Sequence, residues 1–244
     1  MKAHAVRVTV RAAAMAAALA AIALPAMAEE TNPLSFNLSV TSDYRYRGIS
    51  QTRLKPALQG GVDYAHSSGF YIGAWASTIK WIKDSGGDAD VEIDTYAGYK
   101  TEVGGGVTVD VGFLRYNYPS NKLPTSANTN ELYGAVSYGP ATLKYSHSVS
   151  NLFGFADSKN SGYLDLSATF DVGNGFTVTP HVGHQWVKNN DASSYTDYSL
   201  TVNKDWYGLT FGAGFVATST DAYIGGKGKD LGKNGVVVSV KKVF

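Results

Sequence analysis

His181 and His184 stand three apart, a spacing that on a helix would offer two imidazoles to one metal ion. On a strand, residues three apart point to opposite faces, so the same pair would be split. The flanking residues decide which applies: Phe176, Val178, Pro180 and Val182 alternate with Thr177, Thr179 and His181. That is a period of two, and it predicts a strand with no chelate. Asp84, Asp88, Asp90 and Glu92 crowd around Gly86 and Gly87, but without the spacing of a calcium loop, so a solvated loop is expected, with weak divalent-cation or lipopolysaccharide contact as the alternative. Gly225, Gly226 and Gly228 with Lys227 and Lys229 lack the strand-to-helix setting of a phosphate loop. No cofactor or metal is expected, and no nucleic-acid partner, because the formal net charge is only +1.

The charged residues make more sense as one face of many strands. From Leu34 to Tyr46 the even positions are mostly apolar or aromatic, while the odd positions carry Ser35, Asn37, Ser39, Thr41, Asp43 and Arg45, with Arg47 following. The same alternation recurs to the end of the chain, where Val236, Val238, Val240 and Phe244 stay in phase. About twelve such runs are counted, each near the roughly 10 residues that a tilted membrane strand needs. Their polar faces gather Asp43, Arg45, Arg47, Asp63, Glu92, Asp94, Lys100, Asp110, Glu131, Lys144, Asp165, Asp197 and Lys241, which a barrel would place along one lumen as pore-lining residues. Arg115 and Lys242 fall in phase with apolar neighbours, so each should lie near a strand end. Tyr44, Tyr46, Tyr116, Trp186, Tyr195 and Tyr198 are expected in aromatic girdles.

Connections alternate in length. Short ones are predicted at Ser67 and Ser68, Glu102 to Gly106, Gly139 and Pro140, Asp171 to Gly175, and Lys204 to Trp206. Longer polar ones fall between them: Arg47 to Pro56, Lys80 to Asp90, Tyr118 to Thr129, Ser150 to Gly162, Val187 to Ser194, and Ser219 to Asn234. This rhythm predicts an all-β fold, a transmembrane antiparallel up-and-down β-barrel with short periplasmic turns, long outer loops and both termini on the periplasmic side. At the N-terminus, Lys2, Arg7 and Arg11 precede an apolar run from Ala12 to Leu24 and the sequence Ala26, Met27, Ala28. Residues 1–28 therefore read as a cleaved signal peptide, and residues 29–244 as the barrel, without cysteine and so without disulfides.

The segment SFNLSVTSDYRYRGISQT, followed by PALQGGVDY and GFYIGAWAST, is similar to the start of the TorF family, small Gram-negative outer-membrane proteins assigned as porins. The resemblance is specific over Ser35 to Thr78, strongest from Val40 to Thr52, and looser to Phe244. It implies an outer-membrane location, outer-membrane lipid and lipopolysaccharide as surroundings, and recognition of Phe244 by the barrel assembly machinery. It supplies no ligand residues.

The expected function is passive diffusion of small polar solutes or ions through a narrow lumen, without catalysis. A structural or adhesive barrel with no open pore is the alternative. An outer-membrane phospholipase is a further one: it needs a serine nucleophile and a histidine base together at the lipid surface. His147 and His184 are in phase with lipid-facing positions, but no characteristic serine motif accompanies them.

Overall fold

The computed structural model describes residues 32–244, so the expected signal peptide lies outside the described residues. Twelve strands follow in chain order: β1 (Leu34–Thr41), β2 (Ala57–Ala65), β3 (Phe70–Thr78), β4 (Val91–Gly104), β5 (Val107–Asn117) and β6 (Thr129–Tyr138). Then come β7 (Ala141–Ser148), β8 (Gly162–Ala168 continued by Phe170–Gly173), β9 (Phe176–Trp186), β10 (Tyr195–Trp206), β11 (Leu209–Thr218) and β12 (Gly235–Val243). Each pairs antiparallel with its sequence neighbour, and β1 pairs with β12 in the register Val40↔Val240, closing the barrel. Closure extends past the last strand, because Phe244 donates its N–H to the Phe36 carbonyl at 2.8 Å.

The period-two pattern decides which way the barrel faces. Phe36, Leu38 and Val40, Leu58, Ile72, Leu132, Leu143 and Val238 all present their side chains to the outside. A continuous apolar wall of this kind cannot be left to water, since each exposed Å² costs on the order of 25 cal/mol. The alternate residues, including Glu92, Asp94, Ser146, Thr179 and Asp197, point inward and are buried.

The interruption of β8 at Thr169 has a local cause. The register that pairs Ser167 with His181 and Phe170 with Val178 brings Pro180 opposite this point. Proline has no N–H to give the ladder, so one rung is missing there. The side chains bridge the gap, with Thr169 Oγ1 and Thr179 Oγ1 3.0 Å apart.

The long and short connections fall at opposite ends, as the alternation predicts, but several boundaries move. β4 runs to Gly104, β8 to Gly173 and β10 to Trp206, so the turns are shorter than expected; the last is Tyr207 and Gly208, both with positive φ. The largest correction is at the first strand, which stops at Thr41 rather than Tyr46. Arg45 and Tyr46 instead pair with Ile49 and Ser50 in a miniature hairpin inside the barrel. Four of the six expected girdle aromatics are interior: Tyr44 (1% exposed) and Tyr46 because of this loop, and Tyr116 (2%) and Tyr195 because they fall on the inward phase of β5 and β10, while Trp186 and Tyr198 face outward. Arg115 and Lys242 do lie near strand ends, two residues from the end of β5 and one from the end of β12.

Candidate functional site

The interior is organised by the first long loop, Ser42 to Pro56, which enters the lumen from the long-loop end. Asp43 fastens it: its carboxylate accepts from Arg45 Nε at 2.5 Å and Ser50 Oγ at 2.5 Å, with Thr52 Oγ1 3.1 Å away. Arg45 also donates to the carbonyls of Gly48 and Leu231, at 2.9 and 3.0 Å, which ties this loop to the last one. The turn of the small hairpin requires glycine. Gly48 has φ +79°, and a Cβ there would meet Thr218 Cγ2 at 2.6 Å and Asp197 Cβ at 2.8 Å.

Arg47, at the tip, reaches across to the strands opposite. Its Nη2 donates to both oxygens of Glu131 on β6, at 3.0 and 2.8 Å, and its Nη1 to Gln185 Oε1 on β9 at 2.6 Å. The guanidinium lies over the rings of Tyr46 and Tyr163, at 4.7 and 4.2 Å. Tyr116 donates to Glu131 at 3.2 Å, so the carboxylate is engaged on two sides. Beside this crossing, Glu92 and Asp94 stand two residues apart on β4, both almost wholly buried. Tyr44 of the loop donates to Glu92 Oε1 at 3.3 Å, whereas Glu92 Oε2 and both Asp94 oxygens have no protein partner.

Towards the short-turn end the inward face holds a second layer, built from tyrosines and acids. Tyr96 donates to Asp63, Tyr71 donates to Asp110 at 2.6 Å and also contacts the Tyr133 hydroxyl, and Lys144 Nζ sits 4.1 Å from the Tyr133 ring. His181 Nε2 lies 2.6 Å from Asp165, and nearer the Arg47 crossing Tyr163 donates to Asp197 at 3.0 Å. Lys100 and Lys241 also sit on inward positions and enter no ion pair among the described residues. The rings fit because glycine faces them across the sheet. Tyr96 lies against Gly73, Tyr71 against Gly98 and Tyr133 against Gly112, and a Cβ at any of the three would come within 2.4 Å of the tyrosine.

All thirteen sequence-selected residues thus lie in the barrel's interior, eleven from strands and from Asp43 at the loop root, while Arg45 and Arg47 get there by the loop and not by strand alternation. Sequence reasoning missed Tyr44, Tyr46, Gln185 and the facing Tyr–Gly pairs. The pairs leave a signal in hindsight: Tyr71, Gly73, Tyr96, Gly98, Gly112 and Tyr133 all fall on polar-phase positions.

The other chemistry considered from sequence resolves plainly. His181 points inward, while His184 faces out against Trp186 and 2.8 Å from Thr196 Oγ1, so the two histidines do not meet. His147 is also external, with Asn160 Oδ1 at 3.2 Å and the Tyr145 hydroxyl at 3.5 Å; no serine hydroxyl is hydrogen-bonded to either external ring among the described residues. The acidic loop is divided among cations: Asp84 pairs with Arg53, Asp88 with Lys122 at 2.8 Å and Asp90 with Lys83 at 2.9 Å. The hydrogen bonds from those lysines hold Asp88 and Asp90 below the usual carboxylate range.

Above the inward loop the long loops enclose a cup of about 400 Å³, lined mainly by apolar and aromatic side chains such as Tyr46, Trp81, Phe153, Tyr195 and Tyr223.

The barrel is similar in fold to known outer-membrane porins. A KdgM porin, solved in complex with disordered oligogalacturonate, shares 9% identity over 86% of this chain and 98% of its own, with a TM-score of 0.55. A NanC porin shares 12% over 86% and 98%, with a TM-score of 0.54. Outer membrane phospholipase A from Escherichia coli shares 15% over 88% and 93%, at 0.48. No curated protein matches the chain by sequence. The family model described as "Bacterial protein of unknown function (Gcw_chp)" matches residues 26–244, and the chain belongs to that family.

Proposed function

We propose that the chain is an outer-membrane porin through whose narrow lumen small polar solutes and ions pass by diffusion, with cations preferred. The observation that carries this reading is the sorting of side chains: apolar residues cover the outside and acids, lysines and tyrosines fill the inside. An apolar exterior suits lipid, and a polar interior suits water. The TorF-like segment from Val40 to Thr52 supports it further, since it supplies the inward loop that narrows the path. On this reading residues 1–28 are a signal peptide, Phe244 is read by the assembly machinery, and the thirteen interior charged residues line the path.

The charge balance favours cations. Asp43 is taken up by Arg45, and Glu131 by Arg47. Asp63, Asp110, Asp165 and Asp197, with the buried neighbours Glu92 and Asp94 that cannot both stay ionised, then outnumber Lys100, Lys144 and Lys241. Charges lining a narrow, low-dielectric channel act strongly on permeating ions.

The packing of the first loop also favours a second reading, a structural barrel with no open path. Liposome swelling separates the two. Vesicles containing the barrel should swell in isotonic solutions of small uncharged sugars, faster for smaller ones. Swelling no faster than that of protein-free vesicles would favour the closed barrel.

A further inference from the structure

A second cavity, of about 420 Å³, opens at the long-loop end on the outer wall, between the first, second and last long loops. Its lining includes Arg53, Lys55, Lys80, Lys227 and Lys229 and no carboxylate. Five cations around one space are out of proportion in a chain whose net charge is +1. Only Arg53 is neutralised, by Asp84 behind it at 2.8 Å; the four lysines enter no ion pair among the described residues.

The loops that present these side chains are held in place. Thr52, buried in the floor, donates to the Lys55 carbonyl at 2.6 Å, and Leu54 N–H is capped by Ser50 Oγ at 2.8 Å. Lys80 donates its N–H to the Gln51 carbonyl at 2.8 Å, joining the first two long loops beneath the cavity. Arg53, Leu54 and Lys227 all have φ near +60°, a conformation costly for side-chain-bearing residues and kept only where the surroundings impose it.

The cavity's place on the wall indicates what fills it. Thr78, in its lining, ends β3 on the outward face, and its Oγ1 accepts from Leu58 N at 3.2 Å. Leu58 and, beside it in register, Val40 are exposed apolar residues. The cations therefore sit immediately above the rim of the apolar wall, where the headgroup of a lipid packed along that wall would lie. A phosphate monoester offers close to two charges and three acceptor oxygens, against one charge on a carboxylate, and so matches several converging lysines better.

We infer that this cavity binds the phosphate of an anionic lipid headgroup. The inference rests on the barrel standing in lipid, and is independent of whether its lumen conducts. Free phosphate shares the chemistry, so the test must separate the two sources. The purified barrel in neutral detergent micelles is titrated with phosphatidic acid, with diacylglycerol bearing the same chains, and with inorganic phosphate, and binding is followed by native mass spectrometry and calorimetry. One phosphatidic acid should bind per barrel, diacylglycerol should not, and inorganic phosphate should bind far more weakly. Lys55→Gln, Lys227→Gln and Lys229→Gln together should weaken the lipid, roughly fivefold for each lysine removed. Lys159→Gln with Lys188→Gln, in other loops, should leave it unchanged. These substitutions lie at the surface, and the mobility shift on heating reports that each variant folds. Equal binding of phosphatidic acid by wild type and triple variant would overturn the site. Inorganic phosphate bound as tightly as the lipid would overturn the lipid headgroup as its ligand.

Discussion

Arg47 shows how one side chain holds a loop in the lumen. Its partner Glu131 is fully buried, so Arg47→Leu would strand a carboxylate beside Tyr116. Removing one member of a buried pair costs about 3–5 kcal/mol, whereas neutralising both costs much less. Arg47→Leu should therefore lower stability by about that amount, and Glu131→Gln added to it should restore most of the loss. Urea unfolding in vesicles, followed by tryptophan fluorescence, checks this; equal loss in single and double variants would count against it. At the exposed pairs the sign of the pH dependence is fixed by Asp88 and Asp90, whose folded values are depressed. Their tethers are intact above the ordinary carboxylate value of 3.8 and are lost as pH falls below it. A spin label at Ser85 should therefore gain mobility only in that acid range. A gain centred between pH 5 and 8 would contradict the assignment. The charged interior residues of the strands were legible in the sequence because alternation carries them; Arg45 and Arg47 come in by the loop instead. Arg47's partners were not, since nothing local in the sequence links position 47 to 131 or 185.

Among the elements, the strands were the easiest part to read and the first loop the hardest. Apolar residues at every second position mark a strand with one covered face, and that signal recurs in all twelve. The alternation from Leu34 runs on through Tyr46 in the sequence, although the ladder ends at Thr41 and the residues from Asp43 to Ser50 are all buried. Period alone cannot tell a strand in the wall from one inside it. The Tyr–Gly facing pairs offer a sharper test of the wall. A Cβ on Gly98 would lie 2.3 Å from the Tyr71 hydroxyl and 2.6 Å from the Val111 carbonyl, while one on Gly134 would meet nothing within 4 Å. Gly98→Ala should cost about 1–3 kcal/mol and slow assembly, and Gly134→Ala should be close to neutral. Matching unfolding curves for the two variants would show that the ring does not need the glycine opposite.

For the whole molecule, the alternation of connection lengths fixes which residues share an end. Ser67, Gly139 and Asn174 lie in the short turns and Gly86, Asn189 and Gly226 in the long loops. If the long loops face outward, a membrane-impermeant thiol reagent on intact cells should label cysteine at the second set and not the first. Closure makes a related prediction. Phe244 exchanges both backbone hydrogen bonds with Phe36, at 2.8 and 3.2 Å, so its deletion should lower the yield of heat-modifiable barrel and leave export intact. Whether the acid-rich interior is a path for ions is tested most directly by the reversal potential under a KCl gradient in planar bilayers. The barrel is predicted to give small unitary currents with a potential of the sign set by cation preference. That potential should shrink as salt rises, since screening acts over about 8–10 Å at 0.1–0.15 M, and fall further in Glu92→Gln with Asp94→Asn. An anion-selective potential, or no current at all from the wild type, would contradict such a path.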